Sequence, residues 1–278
     1  MKGKFSIKKD FLYKLNQDGI ASYDLNSWED FINILDNNKA FDFNAFLWRG
    51  QRKSSWVLDS TLDRLITSNN SYYRYDLVEK HFTGFKYAIR GRRGSFPKEL
   101  TDDEYWALGQ HYGLATPLLD WTTSPYIATF FALHEIPFLN LSDEDMLKES
   151  FSIYAINKNK IKDKLAENNL DDSNKIEFIS PLMDDNPRLI NQNGSFIKIP
   201  PNTNIEAIIK NLFKGEEREF ALFKFNIPYK RNRKNNIENI LLSLNRMNIN
   251  SSILFSDLFG ASLLCNMRLT IPRYTIPH

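Results

Sequence analysis

The sequence predicts an α+β fold, a single domain with mixed or antiparallel sheets flanked by helices. Three observations carry this. Short runs of apolar or alternating residues stand beside longer stretches with helical spacing. The two kinds follow one another without the regular strand-helix-strand rhythm of an alternating α/β chain. No Pro/Gly/Ser-rich linker or abrupt change of composition interrupts the 278 residues, so residues 1–278 read as one domain with surface insertions.

Each element has its own signal. Ser27-Trp28-Glu29-Asp30 is close to a capping box, and Phe31, Ile32 and Leu35 give the helix it opens an apolar stripe. Phe43–Trp48 reads as a buried strand ending at Arg49-Gly50. Asp76–Arg90 has helical spacing, with Leu77, Phe82, Phe85 and Ile89 on or near one face. Thr101-Asp102-Asp103-Glu104 is a capping-box pattern that starts a helix running towards Tyr112-Gly113. Leu118–Trp121 is a short apolar strand. Ser124-Pro125 then supplies the N-cap and first-turn chemistry of a helix filled by Ile127, Phe130, Phe131 and Leu133. Phe151–Ile156, Ser195–Ile199 and Phe220–Ile227 read as further strands, and Ile237–Leu244 and Asp257–Met267 as helices.

Composition narrows the function classes. With 42% hydrophobic and 25% charged residues the chain can bury a substantial core without a metal or disulfide. The basic start of the chain, residues 1–15, is interrupted by lysines and Asp10, so it lacks the apolar stretch of a signal peptide. The longest apolar run, near Tyr126–Leu133, is far short of the roughly 20 residues that cross a bilayer. The expectation is a soluble, cytoplasmic protein with no membrane partner. The one cysteine, Cys265, excludes an intramolecular disulfide, and in the run Ala261-Ser262-Leu263-Leu264-Cys265 it reads as a buried structural thiol. A net charge of +2 does not resemble a dedicated nucleic-acid binder. Two local clusters are basic, Arg90-Gly91-Arg92-Arg93 and Lys230-Arg231-Asn232-Arg233-Lys234; the plainer reading is solvated surface charge, the sharper one a phosphate-contacting rim. P-loop, GxGxxG, CxxC and HExxH signatures are missing from the sequence, and four histidines with one cysteine make no case for a metal site.

Polar residues that carry chemistry cluster in three stretches. In Phe46–Arg52 an arginine, Arg49, leaves a buried strand beside Gly50, which lets another group approach the backbone. Such an arginine either grips a phosphate or carboxylate through two parallel hydrogen bonds or pairs structurally with a buried acid such as Asp120. In Gln110–Ala132, Gln110, His111, Tyr112, Asp120, Thr122, Thr123 and Ser124 interleave with core residues at element ends, where sites commonly form. Ser124 reads first as an N-cap, and a lone His111 as structural unless a partner orients it. In the third stretch, Asn186–Phe196, Gly194 marks a turn or bulge before a strand, preceded by Arg188 and Gln192.

Together these stretches resemble the FRG-domain family. Trp48-Arg49-Gly50-Gln51 followed by Trp56, Leu58, Ser60, Leu62 and Arg64 is similar to its opening pattern, with Trp48 where Phe or Tyr is usual. Gln110–Ala132 is similar to its central block nearly throughout, departing at Ala115 for Pro and Pro117 for Arg. Arg188, Gln192, Gly194 and Phe196 resemble a later motif. Leu254–Gly260 resembles the closing one, departing at Ser256 and Phe259. A fainter resemblance is to ADP-ribosyltransferases, some of which have a strand ending in (Y/W)RG, a Ser-Thr-Ser turn opening a helix that ends in Phe-Ala, and a catalytic Glu on a later strand. Leu47–Gly50 and Thr122–Ala132 are similar to the first two. This resemblance implies NAD as substrate and transfer to a protein or nucleic-acid acceptor. It also implies a toxin or antiviral defence effector, with a partner protein that neutralises it. Arg49, Gly50, Gln51, Tyr112, Trp121, Thr122, Thr123, Ser124 and Arg188 would then contact NAD, and Arg49, His111, Asp120 and Gln192 would be the catalytic set. Where the catalytic Glu would stand, this chain has Arg188 and Gln192. Asp120, Asp184 or Glu219 is left to supply the carboxylate, or the pocket is a non-catalytic module for a nucleotide or phosphate-bearing ligand.

Overall fold

A computed structural model of the chain describes residues 13–15, 20–37, 41, 45–67, 74–95, 97–139, 149–168, 175–180, 190–214, 221–229 and 233–274. Eight strands form one mixed sheet: β1 (Tyr13–Leu15), β2 (Ala21–Asp24), β3 (Phe46–Gln51), β4 (Leu118–Thr122), β5 (Ser150–Asn157), β6 (Glu177–Ile179), β7 (Gly194–Lys198) and β8 (Leu222–Pro228). Their spatial order is β1-β2-β8-β5-β3-β4-β7-β6, with β2 and β8 parallel and every other pair antiparallel. This is the α+β arrangement read from the sequence.

Helices cover the two faces because several strands are apolar on both sides. On β5, Phe151, Ile153 and Ala155 point into one core while Tyr154 and Ile156 point into the other. The first core is closed by α1 (Trp28–Asn37), α5 (Pro125–Leu133), α8 (Arg233–Arg246) and α10 (Leu258–Thr270), which bring in Phe31, Phe130, Leu241 and Met267. The second is closed by α6 (Lys158–Asn168) and α7 (Ile205–Leu212), through Ile161, Ile205 and Ile209. A third, smaller core lies under α2 (Thr61–Thr67) and α4 (Asp102–His111), and α3 (Arg74–Ala88) packs outside α4. A short α9 (Ser251–Leu254) precedes α10.

The helix starts form as the sequence indicates. Thr101 accepts from the Glu104 amide while the Glu104 carboxylate accepts from the Thr101 amide, a reciprocal capping box. Ser124 accepts from the Ile127 amide and Asp257 from the Gly260 amide. At Ser27 the box is shifted by one: Ser27 caps Asp30, but the Asp30 carboxylate reaches back to the Asn26 amide.

Three expectations are corrected. β3 does not end at Arg49-Gly50 but runs through Gln51, because β5 pairs with it over all six residues. The residue turned into left-handed backbone before β7 is Asn193 (φ 46°) and not Gly194, asparagine being one of the few side chains that tolerates that region. Cys265 is exposed: α10 seats Gly260, Leu264 and Met267 against the core, and Cys265, one residue past Leu264, faces outward. Among the described residues no helix is long and apolar enough to cross a membrane.

The centre of the sheet is its weakest seam. β3 and β4 share a single pair, Trp48 opposite Thr122, whereas β4 and β7 pair over five residues. Two well-paired halves therefore meet at one point and part beyond it.

Candidate functional site

The cleft lies where β3 and β4 part. Its volume is about 360 Å³, and Trp48, Arg49, Gln110, His111, Asp120, Trp121 and Gln192 are among the residues that line it. The seam explains why it exists: β4's backbone acceptors are left without a strand partner on the β3 side, and a side chain must serve them. Arg49 does so, its Nη1 donating to the Asp120 carbonyl at 2.6 Å.

That leaves most of the Arg49 fork unused. Its Nε is sealed from solvent and has no hydrogen-bond partner. Burial pulls the guanidinium pKa below its ordinary value, and the nearby Asp120 charge works against this. An arginine stays protonated under such shifts. Trp121, on the cleft wall, likewise has a buried Nε1 without a partner. A buried donor left unmade costs roughly 1–3 kcal/mol. Trp48, Arg49 and Trp121, three residues that line the cleft, each hold one such donor.

The opposite wall is built from α4 and β4. Gln110, in the last turn of α4, donates from Nε2 to Asp120 Oδ1 at 2.6 Å and accepts from the Thr116 hydroxyl through Oε1. The Thr116 hydroxyl also receives the Leu118 amide, so the turn between α4 and β4 fixes Gln110, and Gln110 fixes the Asp120 carboxylate. His111 lines the same wall, its ring edge-on to Tyr112 at 4.8 Å between centroids.

The third wall comes from far along the chain. Gln192 donates from Nε2 to the Leu254 carbonyl at 3.0 Å, and its own carbonyl accepts from the Thr122 hydroxyl at 2.7 Å. Thr122 in turn receives the Ser124 amide, so the start of α5, the turn before β7 and the end of α9 are tied in one chain of bonds. Phe255 follows, packing edge-on to Phe131 at 5.9 Å, and both rings face the cleft.

The structure thus brings Arg49, Gly50, His111, Asp120, Trp121, Thr122 and Gln192 to one cleft. The other residues picked from the sequence lie elsewhere. Gln51 is buried with its amide donating to the Val57 carbonyl. Tyr112 is 77% exposed at the far side of His111. Ser124 caps α5, and exposed Thr123 ties its amide to the Asn193 carbonyl. Arg188, Asp184 and Glu219 lie outside the described residues, as does 230–232 of the second basic cluster. Gly50 takes part through close approach: a Cβ there would sit 1.9 Å from the Ala128 carbonyl oxygen of α5. Phe131 and Phe255 were not singled out, because an aromatic among apolar neighbours carries the same sequence signal whether it walls a cleft or fills a core.

Fold and site together define an α+β protein with a cleft at the splitting point of one sheet, its largely apolar lining set with a few polar side chains. Residues 44–137, about a third of the chain, match the FRG domain. The match takes in β3 through α5 and hence Arg49, Gln110 and Asp120; Gln192 and Phe255 lie beyond it. No curated protein and no solved structure matches the chain.

Proposed function

We propose that this protein is an NAD-dependent ADP-ribosyltransferase acting on a protein or nucleic-acid target. The observation that carries the reading is the Arg49 guanidinium at the cleft, anchored through one nitrogen and with its buried Nε unpaired. Such a group supplies fixed positive charge and spare donors to a diphosphate or ribose. Trp121, on β4, adds an unpaired indole N–H.

In transfer, the bond between the ribose C1′ and the nicotinamide nitrogen breaks and nicotinamide leaves with the bonding electron pair. The acceptor atom bonds to C1′, and its proton passes to a base. The transition state is oxocarbenium-like and is stabilised by an adjacent carboxylate. Asp120, held by Gln110, is the carboxylate on the cleft, and in this reading His111, which lines it too, takes the acceptor's proton. Gln192 positions the wall opposite.

One observation favours the alternative of a non-catalytic nucleotide-binding module: among the described residues no glutamate lines the cleft, and Asp120 already accepts from Gln110. Titration of NAD into wild type, Arg49→Ala and Asp120→Asn, following binding heat and nicotinamide release, separates the readings. The transferase reading expects binding and release by wild type, binding lost in Arg49→Ala, and release reduced at least 100-fold with binding retained in Asp120→Asn. Binding without release, with every class of acceptor supplied, selects the module. Absence of binding removes NAD as the ligand.

A further inference from the structure

The tip between α3 and α4 has no part in the cleft, yet it concentrates charge in an unusual way. The chain reverses there through Gly91 (φ 73°) and Gly94 (φ 80°), both in backbone that favours glycine, and the arginines Arg90, Arg92 and Arg93 stand around them. Four acids follow, but three are engaged within the fold. Asp102 pairs with Lys86 at 2.5 Å and Asp103 with Lys198 at 2.9 Å. Glu104 is consumed by the capping box, and the Thr101 amide it accepts from is the main cause that holds its carboxyl low, with Lys98 and Arg93 adding to it. Glu99 remains as an exposed acid on the tip.

The arginines are not engaged in the same way. Arg93 donates to the Lys98 carbonyl at 2.5 Å and lies over the Tyr105 ring, so it holds the tip together. Arg90 lies 4.2 Å above the Tyr87 ring, and Arg92 is exposed. Neither Arg90 nor Arg92 has an ion pair among the described residues. Tyr87 is itself 59% exposed. At the other end of α4, about 15 Å away for a ten-residue helix, are His111 on the cleft and the 77% exposed Tyr112.

Guanidiniums without ion pairs beside an exposed aromatic ring, Tyr87, suit one class of ligand above others. A single-stranded nucleic acid offers phosphates to the first and unstacked bases to the second, whereas a duplex hides its base faces. We infer that the Arg90–Arg92 tip with Tyr87 binds single-stranded nucleic acid, and that α4 sets the strand's path from the tip towards the cleft. The binding stands on its own; the strand's role as acceptor rests on the transferase reading.

The test uses the full chain and a labelled single-stranded oligonucleotide of about 12 nucleotides, followed by anisotropy from about 50 to 200 mM salt. Wild type binds, and the Arg90→Gln/Arg92→Gln pair weakens binding about 5–10-fold while lowering the log–log salt slope by about 1.4, the share of two phosphate contacts to a single strand. Arg268→Gln, at an exposed position of α10, binds as wild type does, which excludes a general charge effect. Arg49→Ala also retains the strand, so loss of NAD binding and loss of strand binding are scored separately. Absence of binding by wild type at low salt overturns the inference, as does equal binding by the double variant. So does displacement of the strand by duplex, by an acidic peptide or by anionic vesicles at equal charge concentration.

Discussion

At the scale of single residues, the cleft depends on side chains that replace backbone. Arg49 takes the place of a strand partner for Asp120, and Gly50 removes a Cβ so that α5 can lie on the sheet beside it. Gly50→Ala therefore forces α5 off β3: about 1–3 kcal/mol of stability is lost, with a denaturant midpoint that falls while the slope stays constant. The same change moves the start of α5 and the Thr122–Gln192 tie, so the cleft wall shifts along with the loss of stability. Arg49, Asp120 and Gln192 were legible in the sequence because polar groups stand out inside apolar runs. Gln51 shows the limit of that signal, since the same polarity here ties down residues 52–57 and leaves the cleft to its neighbour. Cys265 shows another, because a run of apolar residues on a helix cannot say which of them face the core until the helix has something to pack against.

At the scale of elements, capping chemistry made the helix starts readable. Thr101, Ser124 and Asp257 each carry a bond that only their side chains can make at those positions. Asp257→Ala is expected to cost about 1 kcal/mol of stability, measured by thermal unfolding, and to loosen the turn that presents Phe255 to the cleft. Elements without such signals were missed. β1 and β6 are three residues long, and β2 finds its parallel partner about 200 residues away in β8. α6 carries mostly charged residues, with Ile161 and Leu165 alone facing the second core, and so lacks a full apolar stripe. Short or long-range pairing is decided by the rest of the sheet, and a local window of sequence does not contain it.

At the scale of the whole molecule, one half-buried histidine links stability to pH. His134 ends α5 between Phe130, Phe131 and Phe255, with Nδ1 3.3 Å from the Phe131 carbonyl oxygen and with Glu135 and Arg52 close by. Burial, the largest cause, lowers its pKa below the ordinary value; Glu135 acts in the opposite sense. The unfolded chain then binds the proton more readily than the folded one below pH of about 6.5, so stability is fully present above that point and falls as the solution is acidified. Thermal midpoints measured between about pH 7.5 and 5.5 should drop, and His134→Gln should flatten that dependence, whereas an unchanged slope assigns it to other groups. The cleft's walls are also spread across the sequence, from Trp48 to Phe255, with roughly 200 residues between Arg49 and the carbonyl that orients Gln192. At synthesis rates of about 5–20 residues per second, a ribosome takes on the order of 10–40 s to travel that interval. Throughout it the arginine-bearing strand is already made while the wall that completes its pocket does not yet exist, so the cleft takes shape only after Leu254 and Phe255 have emerged.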